Sequence, residues 1–250
     1  MIYVIYLLVS AFVLLFVYFR WQYSMLFHPR LYREDPFDEQ FRFLSITTED
    51  GVKLEGCVYE PKEYQATLLY FGGRGQDSVG LLPRLSKCYE DHRIITFNYR
   101  GYGKSEGKPD ESSIKKDALL IYDKVVKNFG EVGVVGYSFG CAVASFVASK
   151  NRPKKLFLIA PFASLKSLTK DIYGFTFPLL RYHFDTCAYL SKVTSKIYIF
   201  SSKDDNVVPI KNVKRLHDCA SFTIFMELED LTHVEILCDK KVIDTIDQSF

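Results

Sequence analysis

The first strong signal along the chain is an uninterrupted apolar segment. Residues 2–19 contain no charged side chain, and as a helix they would extend about 27 Å, close to the roughly 30 Å hydrocarbon core of a bilayer. Arg20 and Trp21, which follow at once, are typical of a membrane interface. A cleaved signal peptide requires a basic start and small residues at a cleavage site, and this segment has neither. A buried core helix is rarely apolar on every face, as this segment is. We therefore predict a transmembrane anchor over residues 1–22 and a juxtamembrane linker over 23–40.

The orientation of this single-pass protein follows from its positive charges. Arg20, Arg30 and Arg33 come after the apolar segment, and no charged side chain precedes it. Cytoplasmic flanks carry the excess of Lys and Arg in membrane proteins. This asymmetry predicts that the N-terminus lies outside and that the following domain lies in the cytoplasm.

From residue 41 the pattern changes to short apolar runs that alternate with helical periodicity. Segments 41–48 and 52–59, separated by Glu-Asp-Gly, predict an antiparallel hairpin. Six further runs predict buried strands, over 67–71, 93–98, 132–135, 155–160, 196–200 and 221–226. Helical periods lie between them, over 81–90, 114–129, 138–149 and 210–218, with a last helix from about Val234. The alternation predicts one α/β domain over 41–250, with a mostly parallel central sheet, helices on both faces and a site at the carboxyl ends of the strands.

One stretch, residues 163–193, interrupts the alternation of strands and helices. It is too long for a tight crossover, and it is rich in Phe, Tyr and Leu. Because it follows the sixth predicted strand, it should lie over the site as a small cap. A packing helix with an irregular linker is the equal alternative.

Composition excludes several other classes of protein. A hydrophobic fraction of 48% and a charged fraction of 25% are typical of a globular chain. The formal charge of +2, without a dense basic block, predicts no nucleic-acid partner. The six cysteines have neither C-x-x-C nor zinc-like spacing, so no metal is predicted, and disulfides are allowed by export but not required. No phosphate-binding or dinucleotide motif is complete, so no cofactor is predicted either.

The candidate chemistry centres on residues 136–140, Gly-Tyr-Ser-Phe-Gly, between an apolar run and a helical pattern. This G-x-S-x-G pattern is typical of a nucleophile elbow, in which a strained turn exposes the hydroxyl, here that of Ser138. Gly136 and Gly140 lack the Cβ atoms that would collide with the neighbouring strand and helix. The positive end of the helix then faces the reaction centre, where the Phe139 N–H can bind an oxyanion.

A serine nucleophile needs a base to take its proton and an acid to orient that base. On a sheet of this kind the partners follow in the order Ser, Asp or Glu, then His. His217 lies inside a predicted helix, whereas His233 lies in a polar loop after the last strand, so we predict His233 as the base. The acid should follow the strand at 196–200, where Asp204 and Asp205 are neighbours that this argument does not separate.

The oxyanion hole requires a second N–H, expected from the loop after the third strand. Residues 71–76 read Phe-Gly-Gly-Arg-Gly-Gln, and their glycines allow the backbone to approach a ligand closely. Farther along the chain, residues 98–109 read Asn-Tyr-Arg-Gly-Tyr-Gly-Lys-Ser-Glu-Gly-Lys-Pro. This second segment lacks the pattern of a phosphate loop, so we expect its role to be structural.

Taken together, these motifs resemble the α/β-hydrolase superfamily over nearly all of residues 41–250. Within it the chain is most similar to single-span, membrane-anchored serine hydrolases, whose motif D-Y-R-G-Y-G-x-S-E-G-x-P matches 98–109 almost letter for letter. The family motif D-x-x-V-P falls on Asp205, which the resemblance therefore implies as the acid, with Asp204 as runner-up. The resemblance also implies that the backbone N–H of Arg74 completes the oxyanion hole.

The chain departs from the family pattern at three positions. Gly72 stands where the family usually has His, so the oxyanion loop must be braced differently. Cys141 replaces a common Gly after the elbow, where we expect it to pack against the sheet. The loop before His233 lacks the usual Gly of the family motif G-x-x-H.

The expected function is that of a membrane-anchored serine hydrolase that cleaves acyl esters or thioesters through an acyl-enzyme intermediate. Its expected partners are an acyl substrate, small or lipid-like, and the membrane lipid around the N-terminal helix. A serine peptidase using the same residues is one alternative. A non-catalytic membrane scaffold, suggested by the missing His at position 72, is another.

Overall fold

A single long helix precedes the folded domain. The computed structural model describes residues 2–31 and 36–250, so Arg33, used above to predict orientation, lies outside the described residues. Helix α1 (Ile2–Leu26) is long and apolar enough to cross a membrane, with a mean hydropathy of 2.6 over its most apolar window, none of it buried. The helix ends at Leu26, inside the predicted linker. Leu26 and the adjoining Phe27 are buried in the core of the domain.

An eight-stranded sheet forms the centre of the domain. Its strands are β1 (Phe41–Thr47), β2 (Lys53–Tyr59), β3 (Ala66–Phe71), β4 (His92–Phe97), β5 (Gly133–Tyr137), β6 (Lys155–Ile159), β7 (Ile197–Ser202) and β8 (Thr223–Leu228). They are ordered β1-β2-β4-β3-β5-β6-β7-β8. Strand β2 is antiparallel to β1 and β4, and the remaining pairs are parallel. The predicted fold class is confirmed, and each strand lies within two residues of its predicted bounds.

Helices cover both faces of the sheet. They are α2 (Ser78–Cys88), α3 (Glu111–Phe129), α4 (Phe139–Lys150), α5 (Leu165–Tyr173), α6 (Thr186–Leu190), α7 (Ile210–His217) and α8 (Lys240–Gln248). One apolar core joins the sheet to α3, α4 and α7, and a second joins it to α2 and α8. Each core contains alternate residues of the central strands, as expected for a sheet buried on both faces.

The helix starts differ from prediction where a polar residue caps the helix. Helix α2 begins three residues before its apolar pattern because the Asp77 carboxylate accepts the N–H of Gly80. Helix α3 likewise begins early, capped by Asp110. A carboxylate at this position satisfies N–H groups that have no partner in the helix, so the cap determines the start. The last helix begins late, after a 3₁₀ turn over Glu235–Cys238.

The segment 98–109 is built into the core. The Arg100 guanidinium, 7% exposed, binds both carboxylate oxygens of Asp117 at 2.7 Å and reaches Asp50 at 2.9 Å. The Asn98 side chain accepts the N–H of Ser78 at 2.7 Å, at the start of α2. These bonds join the hairpin, α2 and α3, which agrees with a structural role for this segment.

Two disulfides correct the expectation that the cysteines need not pair. Cys88 bonds Cys238, and Cys187 bonds Cys219, across 150 and 32 residues of sequence. Sequence spacing alone does not reveal such long-range pairs. Cys57 and Cys141 lie outside these two disulfides and are buried. The Cys141 thiol lies against the carbonyls of Gly136 and Ile159, at 3.0 and 3.3 Å.

Candidate active site

Ser138 occupies a sharp turn between β5 and α4. Its backbone angles, φ 53° and ψ −116°, are strained for a residue with a side chain. A Cβ on Gly140 would lie 2.0 Å from the Phe71 carbonyl oxygen, and one on Gly136 would lie 2.6 Å from the Cys141 Cα. Only glycine fits at either position, so the helix, the strand and the turn pack as closely as the sequence pattern predicts.

Three side chains that the sequence singled out meet at this turn. His233 Nε2 lies 2.9 Å from Ser138 Oγ, and His233 Nδ1 lies 2.7 Å from Asp205 Oδ2. A carboxylate can only accept, so this geometry fits an Nδ1–H that donates to Asp205 and an Nε2 that accepts from the hydroxyl. His233 and Asp205 are 6% and 8% exposed, which shields the chain of hydrogen bonds from water.

The surroundings hold Asp205 and His233 in place. Asp205 Oδ1 accepts the N–H groups of Val207 and Val208, both at 2.8 Å, leaving Oδ2 for the imidazole. The Tyr137 hydroxyl donates to the His233 carbonyl at 3.1 Å. Burial raises the pKa of Tyr137, which keeps this donor protonated. Asp205 and His233 are therefore each oriented by hydrogen bonds in addition to the one between them.

The runner-up residues lie elsewhere. His217 is an exposed side chain of α7 beside Asp218. Asp204 accepts the N–H of Asp230 at 2.8 Å, in the loop that leads to His233. Asp230 has φ 58° and stands where the G-x-x-H motif would have Gly. Asp tolerates this left-handed conformation better than most residues, so Asp204 and Asp230 together support the turn that the missing Gly would have made.

The oxyanion loop is braced by residues that the sequence analysis did not identify. Gln76 Oε1 accepts the N–H of Gly73 and the hydroxyl of Tyr70, both at 2.8 Å. The Tyr99 hydroxyl donates to the Gly72 carbonyl at 3.0 Å. These bonds stabilise the loop without the His expected at position 72. The one sequence signal was a polar Gln three residues after a Gly-Gly pair, which indicates no particular contact by itself.

The two predicted oxyanion donors are the backbone N–H groups of Phe139 and Arg74. Of the hydrogen bonds described for residues 36–250, none is donated by the backbone N–H of Phe139 or of Arg74. The Arg74 carbonyl accepts from the Tyr102 hydroxyl at 2.7 Å, and its guanidinium donates to the Met25 carbonyl at 2.6 Å. Arg74 is thus attached on one side to the core and on the other to the end of α1.

A cavity of about 420 Å³ opens above Ser138 and His233, within the range of small-molecule sites. Its walls are mostly apolar. They come from the end of α1, from α5 and from the loop after α5, for example Met25, Leu168, Phe177 and Leu180. The stretch predicted as a cap therefore does line the cavity over the turn. Among the described residues, no group of His, Cys, Asp or Glu is arranged to hold a metal ion.

Replacing Gln76 tests the brace of the oxyanion loop. Gln76→Leu leaves the buried Gly73 N–H and Tyr70 hydroxyl without their acceptor, so we expect the free energy of unfolding to fall by about 2 kcal/mol. Urea unfolding of the full chain in detergent measures this change. Gln65→Leu, at an exposed bend, is the matched control, and equal effects of the two substitutions would contradict the proposed brace.

Known proteins resemble this chain in both sequence and fold. The family model described as the alpha/beta hydrolase fold matches residues 67–186. Lysophosphatidylserine lipase ABHD12 of Danio rerio is 29% identical over 173 residues, which cover 60% of this chain and 45% of that protein. Protein bem46 of Schizosaccharomyces pombe is 27% identical over 150 residues, covering 56% of this chain and 50% of that protein. The chain thus spans about half the length of these two curated relatives.

The solved structures agree with this assignment. The Pyrococcus furiosus esterase Pf2001 superposes with a TM-score of 0.69 at 18% identity, over 89% of this chain and 97% of that one. At such identity the likeness shows the fold, and together the fold and the relatives support a hydrolase. The family model, the relatives and the sheet topology agree on the α/β-hydrolase fold for this chain, and its N-terminal apolar helix fits a membrane-anchored branch of such hydrolases.

Proposed function

We propose that the chain is a membrane-anchored serine hydrolase that cleaves acyl esters or thioesters, with Ser138 as the nucleophile. The observation that carries the proposal is the continuous chain of contacts from Asp205 through His233 to the Ser138 hydroxyl, 2.7 and 2.9 Å long. These distances lie within the reach required for proton transfer and for orientation of the base.

The proposed reaction has two halves. Ser138 Oγ attacks the acyl carbonyl carbon while His233 Nε2 takes the hydroxyl proton, and Asp205 stabilises the resulting imidazolium. His233 then returns the proton to the leaving oxygen or sulfur, so an acyl-serine remains. Water, deprotonated by the same imidazole, attacks the acyl group and releases the acid, and the proton passes back to Ser138.

The proposed oxyanion hole consists of the backbone N–H groups of Phe139 and Arg74. The Phe139 N–H is at the start of α4, where the partial positive charge of the helix is concentrated. One such donor is typically worth about 10²–10³ in rate. The bonds from Gln76 and Tyr99 to the loop backbone support this role, because they hold the loop in place before a substrate binds.

The proposed substrate carries an apolar acyl chain. Mostly apolar side chains line the cavity, and burial of such a chain against them is favourable. The named relative and the structural neighbour, a lysophosphatidylserine lipase and an esterase, both act on esters by name, which supports an ester or lipid-like substrate. A peptidase uses the same residues, but a mostly apolar cavity favours an acyl chain over a polar peptide backbone.

The bonds of the loop over residues 71–76 weaken the argument for a non-catalytic membrane scaffold. It was suggested by the missing His at position 72, and Gln76 and Tyr99 supply bonds to the loop that such a residue would have braced. Membrane anchorage by α1 belongs to this proposal, and it rests on the length and hydropathy of the helix. The positive-inside rule continues to predict a cytoplasmic domain, whereas the two disulfides favour the opposite orientation.

Labelling with a fluorophosphonate probe tests the nucleophile. We expect covalent labelling of the full chain in detergent and its complete loss in Ser138→Ala, because the probe reacts only with an activated serine. Ser149→Ala, at the other end of α4, is the control and should label like the wild type. A folded wild-type protein that stays unlabelled would refute the assignment.

Substitution can distinguish the roles of Asp204 and Asp205, because the two carboxylates make different contacts. Asp205→Asn preserves the shape but removes the acceptor that selects the tautomer of His233, so we expect hydrolysis of p-nitrophenyl butyrate to slow by about 10⁴-fold. Asp204→Asn retains an oxygen that can accept the Asp230 N–H, so its rate should fall far less. Steady-state kinetics decide the matter, and equal losses would leave Asp205 without its proposed role.

A further inference from the structure

We propose that the last two turns of α1 form one wall of the acyl-chain site, and that the mouth of this site faces the bilayer. The chain of a membrane amphiphile then passes from the bilayer to Ser138 without crossing water. This inference rests on the hydrolase function proposed above. It gives α1 a role in substrate binding in addition to anchorage.

The cavity lies between the end of α1 and the segment after β6. On one side it is lined by Trp21, Gln22 and Met25 of α1. It is also lined by Ile172 and Phe177, from α5 and the loop that follows. Ser138 and His233 line the same cavity, so a chain lying along α1 reaches the reacting atoms directly.

Hydrogen bonds attach the loop after α5 to two positions of α1, Tyr18 and Gln22. The Tyr18 hydroxyl donates to the Pro178 carbonyl at 2.6 Å. Gln22, only 6% exposed, donates to the Leu179 carbonyl at 3.2 Å and accepts the Arg181 N–H at 3.0 Å. A buried amide that uses both its donor and its acceptor holds two elements in one register.

The position of this attachment along α1 places the mouth of the cavity at the membrane interface. With residues 2–19 in the hydrocarbon, Tyr18 lies at its boundary and Met25 about 9 Å beyond it. The ring of Trp21, a typical interface residue, lies 5.1 Å from that of Phe177. The loop and the rim of the cavity are therefore at the depth of the lipid headgroups.

The surface around the mouth is apolar and exposed. Phe175, Leu179 and Ile172 are 54%, 66% and 48% exposed. An apolar patch of this kind marks an interaction site, and this one continues the apolar surface of the membrane helix. Continuity with the span identifies the occupant as the bilayer itself, into which these side chains insert.

The end of α1 is also connected to the oxyanion loop. The Arg74 guanidinium donates to the Met25 carbonyl, and the Tyr102 hydroxyl accepts the His28 N–H at 3.0 Å while donating to the Arg74 carbonyl. The bilayer-facing wall and the proposed oxyanion donor therefore form one unit. A chain held against α1 is placed relative to the donor without a separate closure step.

Chain-length selectivity tests the wall. The full chain is reconstituted in dioleoylphosphatidylcholine vesicles with p-nitrophenyl palmitate or butyrate. Met25→Trp fills the cavity, so the ratio of palmitate to butyrate turnover should fall about tenfold. This corresponds to about 1.4 kcal/mol, which lies within the usual cost of overpacking. Leu14→Trp, on the same helix and 69% exposed, is the matched control and should leave the ratio unchanged. Ile172→Trp, a substitution in α5 that also fills the cavity, repeats the test should Met25→Trp fail to fold.

Charge at the mouth tests the contact with the bilayer. Phe175→Asp places a carboxylate among the lipids, so we expect palmitate turnover to fall at least about tenfold in vesicles, in line with the cost of a charge in the membrane. Phe222→Asp, an equally exposed Phe preceding β8, should have no such effect.

The outcomes separate this inference from the proposed function. Ser138-dependent hydrolysis whose chain-length ratio is the same in Met25→Trp, Ile172→Trp and Leu14→Trp would overturn the wall. Equal palmitate turnover in Phe175→Asp and Phe222→Asp would overturn the bilayer-facing mouth. Hydrolysis that does not depend on Ser138 would instead refute the proposed function.

A separate observation bears on orientation, and from it we infer that the hydrolase domain lies on the oxidising, non-cytoplasmic side of the membrane. Two of the three cysteine pairs that the chain could form are bonded, with Cα separations of 5.6 and 5.3 Å that suit a disulfide. Disulfides persist in oxidising compartments and are rare in the cytosol. Cys238 follows His233 by five residues, so its bond to Cys88 joins the segment after His233 to the end of α2.

Thiol counting and glycosylation test this orientation in a eukaryotic cell. In denatured protein, reduction should raise the number of thiols that react with maleimide by four, because the two disulfides hold four of the six cysteines. The double variant Glu63→Asn, Gln65→Thr creates an N-glycosylation sequence at an exposed bend, and it should acquire an endoglycosidase-sensitive mass shift. Six reactive thiols before reduction, together with an unglycosylated double variant, would overturn the inference.

Discussion

The close approach of α4 to the end of β3 is the constraint on which the site depends. Gly140 lies so near the Phe71 carbonyl that no side chain fits between them. This contact forces the strained turn at Ser138 and directs the start of α4 toward the hydroxyl. It also brings the oxyanion loop, which begins at Gly72, beside the same turn. Ser138, the proposed nucleophile, and the proposed oxyanion donors are thus positioned by one packing contact between helix and strand.

Around this contact the protein replaces family features by other means. Gln76 and Tyr99 hold the oxyanion loop where His is usual. Asp230 adopts a left-handed conformation where Gly is usual, and Asp204 binds its N–H. In each case a side-chain hydrogen bond stabilises a backbone conformation that another residue type would have favoured by itself. The local sequence departs from the pattern while the geometry of the site remains.

Helix α1, the candidate membrane span, is also part of the domain. Its exposed apolar portion ends where Tyr18 and Gln22 bind the loop after α5, and its last turn enters the core at Leu26. Met25 both lines the cavity and offers its carbonyl to Arg74. The position of the cavity relative to α1 therefore follows from bonds within the protein.

The order of strands and helices, the apolar helix and the turn at Ser138 were determined by the sequence alone, because periodicity, glycine placement and turn chemistry act over a few residues. Contacts between distant segments were decided only by the tertiary structure. The position of His233 and Asp205 beside Ser138, the partners of Gln76, the cysteine pairs and the attachment of the loop to α1 all belong to that class. Residues far apart in sequence meet according to how the whole core packs, and no local pattern records which partner a side chain will find.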